Sequence, residues 1–501
     1  MFSVYIFEAK SVQAYILAGG RLRDIVGGSS LLDWMTSADS EDAPLATLKE
    51  KFGIDSFVRA AGGAVTVSFP GDKNREKARE FRALWRFQVG NAAPGMHFSD
   101  GISKGNTLAE ALKEARGNAR KSVSVRRAEL PQATPLMAQS QRMAAPAAHV
   151  SGVTNTDGVC KITKEHSDRA TLAKRHFIKP SQTLGADRLG ARLAGGTDYK
   201  WPNEFEEGNA GDNSVLFPFG GGEEHEIAIV HADGDGIGKK IIALSHSSGG
   251  SDKIKSVSEE LTQATINAAI TATKAILLPN ADKMVVAARP VLLGGDDLTM
   301  IIRADLALDF LAHYCDEFQN QTRKAFQNVR TDHPFRGGLT ASGAAVFVKA
   351  RQPFSKALKL TEVLTKHAKE KRGGHISFFR CTTSKIPTTL EEAWKSQTQR
   401  PEPCDMDRFK NLKKLAEVLR DDTVGRSGLR LVLEADEVLS QSVWDRTCKI
   451  MDKRSNADDP ASIKLIAALE DLNAIEFNEK KLALHQAFLL NRLGVRFVNQ
   501  D

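Results

Sequence analysis

Leu292-Leu293-Gly294-Gly295-Asp296-Asp297-Leu298-Thr299-Met300-Ile301-Ile302 sets two glycines and two aspartates inside an otherwise apolar, strand-like run. Gly-Gly tolerates positive φ without a Cβ clash and suits a tight hairpin turn. Two carboxylates at such a turn are poor structural glue. They repel each other and desolvate badly unless a cation sits between them. The stretch therefore reads as strand, turn, strand, with an acidic tip suited to a cation.

A second acidic cluster lies upstream. Ile227-Ala228-Ile229-Val230-His231-Ala232 reads as a buried strand running into Asp233-Gly234-Asp235-Gly236-Ile237-Gly238-Lys239-Lys240. Its carboxylates stand at a strand end, before a glycine-rich helix entry. Backbone N–H groups and the helix dipole favour phosphate at such a place, and Lys239 adds a cation. Two acidic strand-edge sites beside a phosphate cradle point to two-metal nucleotidyl transfer.

The surrounding periodicity predicts a helix over 254–276, a strand over 284–293, the hairpin turn, and a strand over 298–303. A helix over 305–327, a strand over 338–347, a helix over 353–370 and a strand over 375–379 follow. The core order β-α-β-β-α-β is a ferredoxin-like palm. Its helices are expected on one sheet face, with the hairpin turn beside the end of the first strand.

The N-terminal residues read as a worn copy of this unit. A strand over 2–7 precedes a helical segment, and residues 57–69 again spell strand, Gly62-Gly63, strand. In this reading Ala64 and Val65 take the places of Asp296 and Asp297, so no metal is expected there. The expected class is α+β: a degenerate first palm (1–124), an irregular connector (125–223), a second, active palm (224–384) and a C-terminal helical domain (385–501).

At 501 residues the chain has room for two to four domains. Its formal net charge of +7 permits contact with RNA or nucleotide phosphates and fits a solvated basic surface equally well. None of the five cysteines forms a CxxC pair, which argues against a disulfide framework and for a reducing, cytoplasmic setting. Residues 1–8 lack the basic start of a signal peptide, and no run approaches the ~18–20 apolar residues of a membrane span.

Four stretches together resemble the large polymerase/cyclase subunit of type III CRISPR effector complexes, a two-palm family. They are Gly20-Arg21-Leu22-Arg23-Asp24-Ile25-Val26-Gly27-Gly28-Ser29-Ser30-Leu31-Leu32, the Asp233–Lys239 turn, the Gly294-Gly295-Asp296-Asp297 hairpin, and Pro353–Leu358 through His367-Ala368-Lys369-Glu370. The resemblance implies synthesis of cyclic oligoadenylates from ATP, switched on when a complex of guide-RNA-bound CRISPR subunits meets target RNA. Many relatives begin with an HD nuclease domain. The sequence holds no His-Asp dipeptide, and no such nuclease is expected. Many also carry a zinc-binding cysteine cluster between the palms. Here only Cys160 falls there, with His166 and His176, so zinc is not expected.

Asp233 is the expected ligand of both divalent ions, Mg²⁺ or Mn²⁺, with Asp296 and Asp297 completing the site. Asp235 either helps at the metal or caps the following helix. Gly234, Gly236, Gly294 and Gly295 would let backbone approach the nucleotide. Lys369 matches a phosphate-binding lysine of related cyclases, and Lys239 reads either as a phosphate contact or as surface. Ser342 on a central strand reads either as facing the base or as core. Two other functions stay open: a non-catalytic scaffold in such a complex, and a stand-alone cyclic dinucleotide synthase of the GGDEF kind.

Overall fold

The computed structural model describes residues 1–38, 42–55, 57–71, 74–122, 133–134, 136–140, 145–151, 154–156, 159–161, 165–177, 188–196, 198–205, 214–219, 225–245, 250–329, 333–395, 401–421, 424, 426–434, 440–455 and 460–493. The first unit runs β1 (Phe2–Ala9), α1 (Val12–Leu17), α2 (Leu22–Met35), α3 (Pro44–Phe52), β2 (Arg59–Ala61), β3 (Ala64–Pro70), α4 (Arg75–Ala92), β4 (Phe98–Gly105) and α5 (Leu108–Ser122). Its sheet order is β2-β3-β1-β4, antiparallel throughout.

A connector follows, with the short strands β5 (His149–Ser151), β6 (Thr154–Thr156), β7 (Val159–Lys161) and β8 (Glu165–Ser167) and the helices α6 (Arg169–His176) and α7 (Arg188–Ala194). The second unit comprises β9 (Glu226–Gly234), α8 (Ile237–Ser245), α9 (Gly250–Ala272), β10 (Ala288–Gly294), β11 (Asp297–Arg303), α10 (Ala304–Ala325), β12 (Ala341–Lys349), α11 (Phe354–Lys371) and β13 (Ile376–Arg380). Its sheet order is β10-β11-β9-β12-β13, with β13 parallel to β12. The first four strands of both sheets thus share one topology, the ferredoxin-like arrangement expected from the sequence. The remaining described elements are helices: α12 (Leu390–Trp394), α13 (Met406–Val418), α14 (Arg426–Glu434), α15 (Ser440–Asp452), α16 (Ala461–Glu470) and α17 (Phe477–Arg492).

One expectation needs correction: the second sheet is covered on both faces. Strand β9 is apolar on alternate residues of each face. Ala228, Val230 and Ala232 join a core with Ala268 of α9, Phe310 of α10 and Leu412 of α13. Ile227 and Ile229 join a different core, with Leu360 and Leu364 of α11 and Ile16, Ile25 and Phe7 of the first palm. The two palms therefore share a hydrophobic core, in which each buried branched side chain contributes roughly 1.5–3 kcal/mol over exposure.

Polar contacts fix how the units meet. Strand β10 is an edge strand, so it tolerates Pro290. Its pairing with β11 slips between Pro290 and Leu292. The carbonyl of the intervening Val291 is met by the buried Ser29 hydroxyl of α2, at 2.5 Å. Gly28 beside it lets α2 approach α1, because a Cβ there would stand 3.2 Å from the Ile16 Cα. Asp24, from the same glycine-rich motif, is buried and accepts the Arg175 Nε–H of α6 at 2.7 Å. Lys174 is also fully buried and donates to the Tyr15 and Ala18 carbonyls. At the other end of the chain, Lys413 of α13 pairs with Asp309 of α10 at 2.7 Å.

Strand β4 and helix α5 meet at backbone distance. A Cβ on Gly101 would lie 2.1 Å from the Ala115 carbonyl oxygen. Gly101→Ala is expected to destabilise the first palm by about 2 kcal/mol or more, because backbone must move to admit one methyl group. Chemical denaturation followed by tryptophan fluorescence, with Trp85 buried in the same palm, checks this. An unchanged midpoint would contradict the packing described.

Candidate functional site

Antiparallel pairing puts Asp297, the first residue of β11, directly opposite Asp233 near the end of β9. Asp296 occupies the turn. The preceding Gly295 has φ +66°, a conformation that glycine adopts without strain. Gly234 brings the end of β9 against the turn, since a Cβ there would be 3.3 Å from the Asp296 Cβ and 2.3 Å from the Ile237 Cδ1. The result is three carboxylates that each offer an oxygen within 4.8 Å of the others. Lys369, in the last turn of α11, donates to the Asp233 carboxylate.

Charge explains why such a cluster wants a cation. Burial raises the Asp296 and Asp297 carboxyls above the ordinary carboxylate range, and the neighbouring acids push them further in the same direction. Asp297 is shifted more, because both Asp233 and Asp296 act on it. The Arg59 guanidinium of β2 opposes the shift at Asp296. Two residues behind the acids on each strand, His231 shares a 3.0 Å hydrogen bond with the Thr299 hydroxyl. Burial holds His231 below its usual value, so it stays neutral near pH 7. Three oxygen donors and a shared excess of negative charge fit Mg²⁺ or Mn²⁺, hard cations that take carboxylate ligands.

The other expected site residues divide. Gly294 pairs with Asp297 at the hairpin neck. Gly236 has φ +69° and leads into α8, on whose first turn Lys239 is exposed. Asp235 does not join the acidic cluster. Its Oδ2 accepts from the Thr340 hydroxyl (2.7 Å), the Ser342 hydroxyl (3.1 Å) and the Gly374 N–H (3.2 Å). Ser342 is fully buried, pairs in register with Asp233, and also accepts the His375 N–H at 3.1 Å. Asp235 and Ser342 thus tie the ends of β9 and β12 to the Gly373-Gly374 turn, beneath the acids. The Cys160 side chain lies outside the described residues. His166 lies in β8 and His176 ends α6.

The first palm corrects one reading by a single residue. Its hairpin closes with Ala61 opposite Ala64, as Gly294 faces Asp297, so Gly63 and Ala64, rather than Ala64 and Val65, take the places of Asp296 and Asp297. The same register sets Glu8 in the place of Asp233 and Ser99 in the place of Ser342. Glu8 is held below the usual carboxylate range, against its own burial, by Lys10 at 2.6 Å and by Arg59 and Arg116. Sequence reading missed Arg59, which brings its Nη2 within 3.6 Å of where a Gly295 Cβ would stand. Only the facing of the two hairpins reveals it. A cavity of about 460 Å³ opens beside them, lined by Lys49, Arg59, Arg192, Glu259 and Gly294 among others.

Fold and site together define a nucleotidyl-cyclase-like palm: a ferredoxin-like sheet with three aspartates and a lysine gathered at its hairpin. Residues 226–375 match the family model described as Cas10/Cmr2, second palm domain, and this span is Cas10-like. No curated protein matches by sequence. The chain is similar to an apo Csm1–Csm4 cassette, at 13% identity and a TM-score of 0.46, over 94% of this chain and 70% of that one. It is also similar to a Csm1–Csm4 cassette in complex with pppApApA (14%, TM-score 0.45, 94% and 69%) and to Csm1 in T. onnurineus (13%, TM-score 0.44, 94% and 69%).

The raised carboxyls set a pH dependence. In the ion-free protein, Asp296 and Asp297 bind protons more tightly folded than unfolded, so their contribution to stability is present at low pH and lost as pH rises through the raised values. A divalent ion must displace those protons, so its apparent affinity is expected to rise from about pH 6 to about pH 8, by up to about tenfold per unit per proton released. Titration calorimetry with Mn²⁺ reads this, and a flat profile would contradict it. Asp297→Asn is expected to lose that binding yet raise the melting temperature of the ion-free protein by about 1–2 °C at pH 8.

Proposed function

We propose that this protein is a metal-dependent palm nucleotidyltransferase. It converts ATP to cyclic oligoadenylates with release of pyrophosphate, as the large subunit of an RNA-guided type III CRISPR antiviral complex in the cytoplasm. The observation that carries the reading is the convergence of Asp233, Asp296 and Asp297 within 4.8 Å, beside Lys369, in a palm of the Cas10/Cmr2 type.

In this reading Asp233, Asp296 and Asp297 hold the divalent ions. Such ions lower the pKa of a ribose 3′-hydroxyl and neutralise a leaving pyrophosphate. The 3′-hydroxyl of one nucleotide would give up its proton to solvent, and its oxygen would bond to the α-phosphorus of another as the bond from that phosphorus to the α–β bridging oxygen breaks and pyrophosphate leaves. Lys369 exchanges Asp233 for a triphosphate oxygen and keeps its charge beside the leaving group. Gly294 and Gly295 carry no side chain to bar a nucleotide from the hairpin backbone. Lys239 and the amides around Gly236 stand where a phosphate would meet the start of α8. Asp235 and Ser342 form a braced polar floor that holds the strand ends in place.

Arg59 gives the first palm a part. The degenerate site has lost its hairpin acids, and its remaining Glu8 is surrounded by Lys10, Arg59 and Arg116. That excess of positive charge beside the metal site suits the phosphates of the second nucleotide without a second set of ions.

Purified protein, together with the complex it assembles into, should turn ATP and Mn²⁺ into cyclic oligoadenylate detectable by mass spectrometry. The Asp296→Ala, Asp297→Ala double variant is expected to lose product by at least about 10³-fold with its fold intact. Unchanged turnover in that folded variant would refute the site. Arg59→Ala is expected to raise the ATP KM about tenfold with a smaller change in kcat, and steady-state kinetics of the assembled complex decide it.

A further inference from the structure

Of the three acids, Asp296 is least supported by the sheet. The last cross-strand pair of the hairpin joins Gly294 to Asp297, so Asp296 stands beyond the ladder and follows a glycine at positive φ. Backbone freedom is greatest at such a residue, and its carboxylate must nevertheless meet two others across a few ångströms.

A hydroxyl from outside the sheet holds this turn. Thr265 of α9 is fully buried, and its Oγ1 donates to the Gly295 carbonyl at 2.7 Å while also lying 2.9 Å from the Leu261 carbonyl of its own helix. Thr262 and Thr271 on the same helix show the ordinary arrangement for a helical threonine, a single bond back one turn. The contact to Gly295 is therefore an addition that helix geometry does not require. The carbonyl it holds belongs to the same rigid peptide plane as the Asp296 N–H, so fixing the oxygen fixes the plane from which Asp296 projects. Ser29 does the same one step back, holding the Val291 carbonyl where β10 bulges.

We propose that Thr265 is a positioning residue of the carboxylate site: its hydroxyl clamps the Gly295–Asp296 peptide and so sets the Asp296 carboxylate against Asp233 and Asp297. The proposal rests on reading these aspartates as the divalent-ion site. Thr265 touches neither ion nor nucleotide. It acts through the turn, with Ser29 anchoring the strand behind it.

The test uses the full chain without added metal, then with Mn²⁺, in three forms: wild type, Thr265→Val, which keeps the shape and removes the donor, and Thr265→Ser, which keeps the donor. Amide hydrogen exchange across residues 292–298 reads the clamp directly. Thr265→Val should speed exchange in that segment roughly three- to tenfold and weaken Mn²⁺ binding by a similar factor, as loss of one hydrogen bond implies. Thr265→Ser should restore both, while exchange within α9 stays unchanged in all three proteins. Wild-type exchange and affinity in Thr265→Val would overturn the proposal. So would a Thr265→Ser protein as impaired as Thr265→Val, because packing and not the hydroxyl would then be responsible. If Thr265→Val loosens the hairpin but wild type binds no Mn²⁺, the clamp stands and the failure falls on the reading of the acids as an ion site.

Discussion

Asp233 and Asp297 lie opposite each other on adjacent antiparallel strands, and like charges so placed are destabilising. The rest of the second palm enforces this contact. Strands β9, β11 and β12 are apolar along most of their length, and slipping the register by one residue would turn Ala228, Val230 and Ala232 away from α9 and α10 and expose Ile227 and Ile229 to the wrong core. The hydrophobic pattern thus fixes a register that the acids oppose. Its cost is contained by the raised proton affinity of Asp296 and Asp297, by Lys369 on Asp233, and by Arg59 near the turn. A site held together against its own charge is one in which a cation lowers the free energy on arrival.

The two palms show what happens when that constraint is released. They share strand order and register, so Glu8 answers to Asp233, Ser99 to Ser342, and Gly63 and Ala64 to Asp296 and Asp297. The hairpin of the first palm holds no acid, Glu8 pairs with Lys10, and Arg59 and Arg116 act on the same carboxylate. The first palm has become basic at the position where the second is acidic. Their hairpins face each other: a Cβ on Gly62 would lie 4.0 Å from the Gly294 carbonyl oxygen. One cleft therefore carries both signs of charge, acid from the second palm and base from the first.

Much of this was legible in the sequence, for reasons that are local. The Leu292–Ile302 run predicts a hairpin because Gly-Gly can turn where the flanking residues cannot, and the Ile227–Ala232 run predicts a buried strand by composition alone. Element order then gives the palm. What stayed hidden depends on tertiary register. The first-palm hairpin was read one residue out of step, because Gly62-Gly63 looks like Gly294-Gly295, yet its turn closes one residue earlier relative to the glycines. Asp235 reads as a metal ligand or a helix cap, and only the approach of β12 and the Gly373-Gly374 turn shows that Thr340, Ser342 and Gly374 claim its carboxylate. The small residues Gly27-Gly28-Ser29-Ser30 are read from the sequence only as part of a family-like stretch, and the contact of Ser29 with Val291 shows which strand they pack against. Arg59 and Thr265 carry no signal at all, because an exposed arginine in a strand and a threonine in an amphipathic helix look alike wherever they occur.

The hidden residues share a location, and it has a consequence. The turn that carries Asp296 is held by β11 through the ladder, by α9 through Thr265, and by the first palm through Ser29 on β10. Helix α9 in turn packs on α10, on α7 of the connector and on α5 of the first palm. The Ser29 clamp is buried, so water cannot replace it when it stretches, and breaking it leaves an unsatisfied carbonyl at a cost of about 1–3 kcal/mol; the Thr265 clamp is half-buried. A shift of one palm against the other must then either carry the hairpin along or break a buried bond. Where the hairpin is carried along, Asp296 moves relative to Asp233, which stays in the central strand. The placement of the palms and the geometry of the carboxylates are for this reason joined through one strand and one turn.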